Sequence, residues 1–163
     1  MAEFAKESLE VALEEAKPLF LLHWQETEMY RAGTAFNPKY QRYVDYNKIG
    51  FYQFFTVRVE GKLVGNAGIY VTEGMHDQRQ MAQEDTWFLL TEARGGMSAV
   101  RFLAFVEADL RAQGVTDFYM STKLANQAGR ILELRGFAHV ANQYWKNLEC
   151  VHLTRPRRRT TPL

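Results

Sequence analysis

Two neighbouring carboxylates, Glu84 and Asp85, stand immediately before a short β-branched, aromatic and aliphatic run, Thr86-Trp87-Phe88-Leu89-Leu90, and a glycine pair, Gly95-Gly96, follows. A carboxylate at the start of a buried strand can act as a general base, taking the proton from an amine so that it can attack an electrophile. The same Glu-Asp pair also fits a plain solvated strand start, since acidic pairs at element ends are commonplace. The glycines suggest a different chemistry. Lacking Cβ atoms, they let a ligand approach the main chain and permit positive φ. From Ser98 onward Ala99, Leu103, Val106 and Leu110 recur at helical spacing. Strand, bare turn and helix start together make an anion site, because the first helical turn offers N–H groups without intrahelical partners at the positive end of the dipole. Two readings stand for that turn, a phosphate cradle and a tight connection only. Neither G-x-x-x-x-G-K-[ST] nor G-x-G-x-x-G is present, so the common nucleotide fingerprints are excluded.

The elements that must position these residues follow from the pattern. Ser8 is an N-cap candidate ahead of Leu9, Leu13, Ala16 and Phe20 on one helical face. Pro18 either kinks one helix or occupies the first turn of a second, and both remain open. The helical pattern continues over 19–29, Gly33-Thr34 ends it, and Asn37-Pro38 marks a turn before a short helix over 39–48. Trp24, Tyr30, Phe36, Tyr40, Tyr43 and Tyr46 crowd this region and fit either core or the wall of a substrate groove. Residues 51–60 and 63–72 read as a hairpin around Gly61-Lys62, followed by a loop over 73–77. The helix from Ser98 closes at Gly114, residues 115–121 read as a strand, and 124–135 as a helix closed by Gly136. Within 137–153 a final strand is expected around Tyr144-Trp145-Lys146. This order predicts an α/β layering with a mixed sheet, the strands at 86–90 and 115–121 lying parallel across a right-handed crossover.

Composition narrows the functional classes. The chain has 163 residues, 47% hydrophobic and 24% charged, which suits one domain with a real core. Residues 1–154 read as that domain and 155–163 as a basic, solvated tail. Arg155, Arg157, Arg158 and Arg159 carry four of the 20 basic charges and leave 16 against 19 acidic residues, a net of −3, over 1–154. Such a body argues against nucleic acid as a partner. No apolar run nears the about 18 residues of a membrane helix, and MAEFAKESLE has no signal-type apolar region, so a cytoplasmic location is expected. The single Cys150 excludes an intrachain disulfide and reads as a small buried hydrophobe. His23, His76, His139 and His152 are scattered, so no metal is expected. Serine or cysteine hydrolase chemistry is excluded by the lack of a G-x-S-x-G elbow or a Cys/His signature.

The loop Arg94-Gly95-Gly96-Met97-Ser98-Ala99 resembles the pyrophosphate loop [QR]-x-x-G-x-[GA] of the GNAT superfamily of acyl-CoA-dependent N-acyltransferases, with Met97 at the central glycine position. Further on, the run from Asn126 to Gly136-Phe137 is similar to that family's N-x-x-A-x-x-L-Y-x-x-x-G-F segment, one residue shorter. The family's tyrosine, which protonates the departing thiolate, falls at Leu132. His23-Trp24-Gln25-Glu26 and Asn37-Pro38-Lys39-Tyr40-Gln41-Arg42-Tyr43 resemble segments of bacteriophage-encoded members, which would place the protein in a host cytoplasm. The resemblance implies a GNAT-like, mostly antiparallel twisted sheet whose central parallel strand pair splays to admit acyl-CoA, with helices on both faces. It implies acetyl-CoA as co-substrate and a small-molecule or protein amine as acceptor. The main chain of Trp87, Phe88 and Leu89 would run beside the pantetheine arm, Arg94, Gly95, Gly96, Met97, Ser98 and Ala99 would hold the pyrophosphate, and Asn126 would bond the arm. By position Asp85 is the first candidate base, then Glu84, with Glu73 and His76 on the neighbouring loop as alternatives. Water or Tyr144 would protonate the thiolate. The competing reading is a GNAT-fold binding or assembly module with little catalysis. Relatives often pair, and the aromatic N-terminal region offers a homodimer contact.

Overall fold

The computed structural model describes residues 1–148 apart from Met29, Ala32, Ala125 and Gln127. Cys150, the basic tail at 155–163 and the last residues of the expected final strand lie outside the described residues. The elements are β1 (Ala2–Glu7), α1 (Leu9–Thr27), α2 (Tyr40–Lys48), β2 (Tyr52–Val59), β3 (Lys62–Glu73), β4 (Gln80–Leu89), α3 (Ser98–Ala112), β5 (Asp117–Tyr119) and α4 (Ala128–Leu134). The strands form one sheet in the order β1-β2-β3-β4-β5, antiparallel except for the parallel β4–β5 pair.

Each face of the sheet has its own core. Leu9, Ala12, Ala16 and Leu19 recur on one stripe of α1 and pack, with Val44 of α2, on Tyr52, Phe54, Leu63 and Phe88. On the opposite face Phe102, Val106 and Leu110 of α3 pack on Phe55, Val57, Ala67 and Ile69. Residues 52–57 of β2 are buried on both faces, including the polar Gln53 and Thr56. Each fully buried Leu, Ile or Phe contributes about 1.5–3 kcal/mol relative to exposure, so both layers are needed to hold the sheet.

The hairpin forms with Glu60 and Gly61, both at positive φ, as its two-residue loop and Val59 opposite Lys62, one position earlier than the sequence suggests. Pro18 lies inside a single unbroken α1. The first strand escaped the sequence reading, because six residues ahead of an N-cap carry little pattern of their own. It is held by tertiary contacts: its ladder with β2 runs from Ala2↔Val59 to Glu7↔Phe54, and Phe4 stacks on Phe102 at 5.7 Å.

Four expectations need correction. The central strand begins at Gln80, not Thr86, because the polar run 80–85 pairs with the far end of β3, Tyr70 opposite Gln83 and Val71 opposite Ala82. The strand and helix expected over 115–121 and 124–135 shrink to Asp117–Tyr119 and Ala128–Leu134. No strand forms over 137–147: a three-residue β5 offers too short a ladder, and the aromatics there pack singly, Phe137 edge-on to Phe118 at 5.5 Å and Trp145 edge-on to Tyr30 at 5.3 Å. No helix among the described residues is long and apolar enough to cross a membrane.

Candidate active site

The carboxylates belong to β4, and its ladder with β3 slips between Gly68 and Ile69. Thr86 lies opposite Gly68 and Glu84 opposite Ile69, so Asp85 has no opposite partner and sits at a β-bulge. The bulge is pinned by Thr86, whose Oγ1 accepts the Gly68 N–H at 3.0 Å and the Asn66 amide at 3.2 Å. Gly68 is required there. A Cβ on it would overlap the Tyr52 hydroxyl and come within 2.8 Å of Thr86 Oγ1.

The two acidic neighbours therefore do different things. Glu84 reaches across to the chain after β5, where its carboxylate accepts the Ser121 N–H at 3.2 Å and the Ser121 hydroxyl at 3.1 Å. Burial raises its pKa, and the Ser121 bonds oppose that rise. Asp85 turns toward Tyr43, Tyr52 and Tyr70. Burial pushes its pKa up to about 6, and the Tyr43 hydroxyl within hydrogen-bonding reach pulls it partly back. Tyr43 in turn is pushed up by burial and by the Asp85 charge. The three tyrosine rings interlock, Tyr43 with Tyr52 at 5.0 Å and Tyr52 with Tyr70 at 5.2 Å.

Asp85 and Thr86 form the floor of a cavity of about 250 Å³ between the end of α1, the residues Arg31, Phe36 and Pro38, α2 and β4. Its walls include Phe20, Trp24, Phe36 and Tyr43, and its outer part includes Glu28 and Arg31. His23 also lines it, tilted against Phe88 at 5.7 Å; burial lowers its pKa, so it is held neutral. A wider cleft of about 480 Å³ opens elsewhere, near Asn47, Gly50 and Gln80. Its charged lining residues are already paired, Lys6 with Asp109 at 3.1 Å and Glu7 with Arg58 at 2.8 Å, so it offers no comparable chemistry.

The opposite end of the site is the gap beside β4. The β4–β5 ladder has only the pairs Met81↔Asp117, Ala82↔Phe118 and Gln83↔Tyr119, after which β4 runs on to Leu89 unpaired on that side. Phe88 and Leu89 are buried in opposite cores, and Trp87 packs on the α3 side with its indole N–H lacking a partner among the described residues. A 3₁₀ turn, Thr91–Ala93, leads into the glycine loop. Nothing lies within 4 Å of where a Cβ would project from Gly95 or Gly96, and Gly96 sits at φ +63°. Met97 is the N-cap of α3 and 55% exposed; the helix start has no side-chain cap and no acidic residue in its first turn, Ser98 and Ala99 being its first residues. Arg94 turns back, its Nε donating to the Leu89 carbonyl at 2.8 Å and its Nη2 to Glu26 at 2.6 Å, with the guanidinium 5.2 Å from the Phe88 ring centre.

Asp85, Tyr43 and the end of β4 are thus brought together, while other expected residues are not. Asn126 Oδ1 accepts the Ala128 N–H at 3.1 Å, fixing the start of α4. Tyr144 is 91% exposed, and Leu132, at the position of the expected tyrosine, is 8% exposed. Glu73 ends β3, and His76 stands in the loop beyond it; neither lines the Asp85 cavity. The sequence reading missed His23 and Tyr52 as site residues. Both look like core positions, and only the cavity they share with Asp85 gives them another role. Among the described residues no cluster of three or more His, Cys, Asp or Glu is placed to hold a metal ion.

No family model and no curated protein matches the chain. Solved structures do. The ribosomal-protein-alanine N-acetyltransferase of Brucella melitensis superposes with a TM-score of 0.70 at 17% identity, covering 91% of this chain and 99% of that one. An aminoglycoside acetyltransferase from an uncultured soil metagenomic sample, in complex with sisomicin, gives 0.66 at 11% identity over 90% and 96%. The glucosamine-6-phosphate N-acetyltransferase of Arabidopsis thaliana gives 0.66 at 10% identity over 91% and 99%. At such identities the likeness is one of fold: the mostly antiparallel sheet, its parallel β4–β5 pair and the flanking helices are the GNAT architecture.

Proposed function

We propose that the chain is an acyl-CoA-dependent N-acyltransferase that moves an acetyl group from acetyl-CoA to a primary amine. One arrangement carries the reading: Asp85, ejected at a bulge, lines a cavity on one face of β4, while an uncapped helix start and a bare glycine loop follow the end of the same strand. The residues present fit the donor. Open space over Gly95 and Gly96, free N–H groups at the start of α3 and the lack of any acidic residue in that turn suit a pyrophosphate. Gly95, Gly96, Met97, Ser98 and Ala99 would hold it, and the main chain of Trp87, Phe88 and Leu89 would line the arm.

When bound, acetyl-CoA supplies an activated acyl carbon. This chain supplies the proton handling and the positioning. At neutral pH Asp85 is ionised, because its raised pKa still lies below 7, yet it is basic enough to take the proton of an ammonium at the cavity floor. Tyr43 orients its carboxylate. The main chain of β4 beyond Gln83, unpaired toward β5, offers N–H groups to the negative charge that develops on the acyl oxygen. Glu84, bonded to Ser121, holds the chain after β5 at a fixed distance from β4 and so keeps the gap open. Water protonates the departing thiolate, since Leu132 carries no hydroxyl and Tyr144 projects into solvent.

The second reading, a binding module with little catalysis, draws on that missing hydroxyl and on Arg94 being engaged with Glu26. Thiol release and product mass in the presence of acetyl-CoA and a panel of amines separate the two. Turnover that falls about 10²–10⁴-fold in Asp85→Asn is expected. Unchanged turnover in that variant would remove Asp85 as base, and no turnover with any amine would favour the module.

A further inference from the structure

The charges around the Asp85 cavity are almost all committed. Glu28, the other carboxylate in the described lining, is ion-paired with Arg31 at 2.9 Å and with Lys123 at 3.0 Å. Glu26 on the neighbouring turn of α1 is taken by Arg94 at 2.6 Å. Asp85 is therefore the one carboxylate of the described lining with no cationic partner. One part of the lining is apolar and flat, formed by Phe20, Trp24, Phe36 and Pro38, with the Trp24 and Phe36 rings in contact at 5.7 Å and 48°. A space of about 250 Å³ accommodates a body the size of one aromatic side chain with a short arm.

Resting on the acyltransferase reading, we propose that the acceptor is a small molecule with a single primary amine on a flat apolar arm, an arylalkylamine, and not a polyamine or polycationic aminosugar. The ring packs within the cavity against the contacting Trp24–Phe36 pair, where rings prefer tilted and edge-on contacts, and the amine reaches Asp85. A second ammonium would meet no free carboxylate in the described lining, and a buried unpaired charge costs several kcal/mol. The reaction balances with one base. Asp85 takes a proton from the ammonium, the nitrogen bonds to the acyl carbon as its bond to sulfur breaks, and the nitrogen's surplus proton passes through water to the thiolate, leaving amide and thiol.

The test compares 2-phenylethylamine with spermidine, sisomicin and glucosamine 6-phosphate in two measurements on the full chain: kcat/KM with acetyl-CoA, and binding by saturation-transfer NMR without it. Phenylethylamine is expected to exceed the other three by about tenfold or more in kcat/KM, and Phe36→Ala and Trp24→Ala to reduce that preference about tenfold through KM. Phe36 lies in an irregular connection, so its truncation spares the helices. Preference for spermidine or sisomicin, or an unchanged preference in both variants, would overturn the proposal. Phenylethylamine binding that is lost in the variants, with no amine turned over, would uphold the cavity assignment while removing the acyltransfer reading. Absence of both binding and turnover would remove the cavity assignment as well.

Discussion

Asp85 and Glu84 are chemically alike and adjacent, yet one residue of bulge separates the proposed base from a carboxylate bonded to Ser121. Glu84 is bonded to Ser121, whereas Asp85 faces tyrosine rings and keeps a pKa of about 6. Its titration has two readouts. In the proposed role of base Asp85 would work only when ionised, so kcat/KM should rise with pH through about 6 and then level, and Asp85→Asn should lose that limb. For stability the sign is opposite to that of a paired carboxylate. The folded pKa lies above the ordinary 3.8, so the folded state holds this proton more tightly than the unfolded chain, and stability falls as pH rises across that window. Asp85→Asn should therefore be more stable than the parent at pH 7.5, by on the order of 1–3 kcal/mol, and equal to it near pH 4 in urea titrations. Equal stability at both pH values would contradict the burial described for Asp85. The acidic pair itself was legible in the sequence, but its place within β4 and the direction in which Asp85 points were not, because a bulge is a property of the register between β3 and β4.

At the scale of elements, β3, β4 and the turn into α3 act together. Gly68 shows how tightly they are matched: with Tyr52 and Thr86 against it, Gly68→Ala must push the tyrosine hydroxyl or the bulge aside. A loss of about 1–3 kcal/mol in stability, together with a larger fall in kcat than in acetyl-CoA affinity, is expected. A variant as active as the parent would show that the bulge geometry is not used. Pattern reading recovered the hairpin and α3, whose apolar spacing is decided within each segment. It failed for β1 and for residues 137–147, where tertiary partners decide. Phe4 makes β1 a strand by stacking on Phe102, and Trp145 packs on Tyr30 without joining a ladder.

Across the whole molecule, Arg58 ties β1, α1 and the hairpin into one body. It bonds Glu7 at 2.8 and 3.0 Å, Glu15 at 2.9 and 3.0 Å and the Gly61 carbonyl at 2.9 Å. The Arg58 hydrogen bonds hold the Glu7 carboxyl below its ordinary range, so this contribution is present at neutral pH and lost as the pH falls through the carboxylate range. Arg58→Met should cost about 1–3 kcal/mol at pH 7 and much less near pH 3, measured by urea unfolding; an equal loss at both would assign the effect to packing alone. This clamp was invisible in the sequence because its members are 43 and 51 residues apart. An α/β layering with a mixed sheet was legible from the element order, while the GNAT architecture was implied by the resemblance of the Arg94 to Ala99 loop and the Asn126 to Phe137 segment to that family's motifs. The most direct test of the donor site uses isothermal titration with acetyl-CoA on the parent and on Gly95→Val. No atom lies within 4 Å of the Cβ position of Gly95, so the variant should fold with an unchanged Tm. Saturable one-to-one binding by the parent and its loss in Gly95→Val are expected. No binding by the parent, or equal binding by both proteins, would contradict the placement of the acyl donor at this loop.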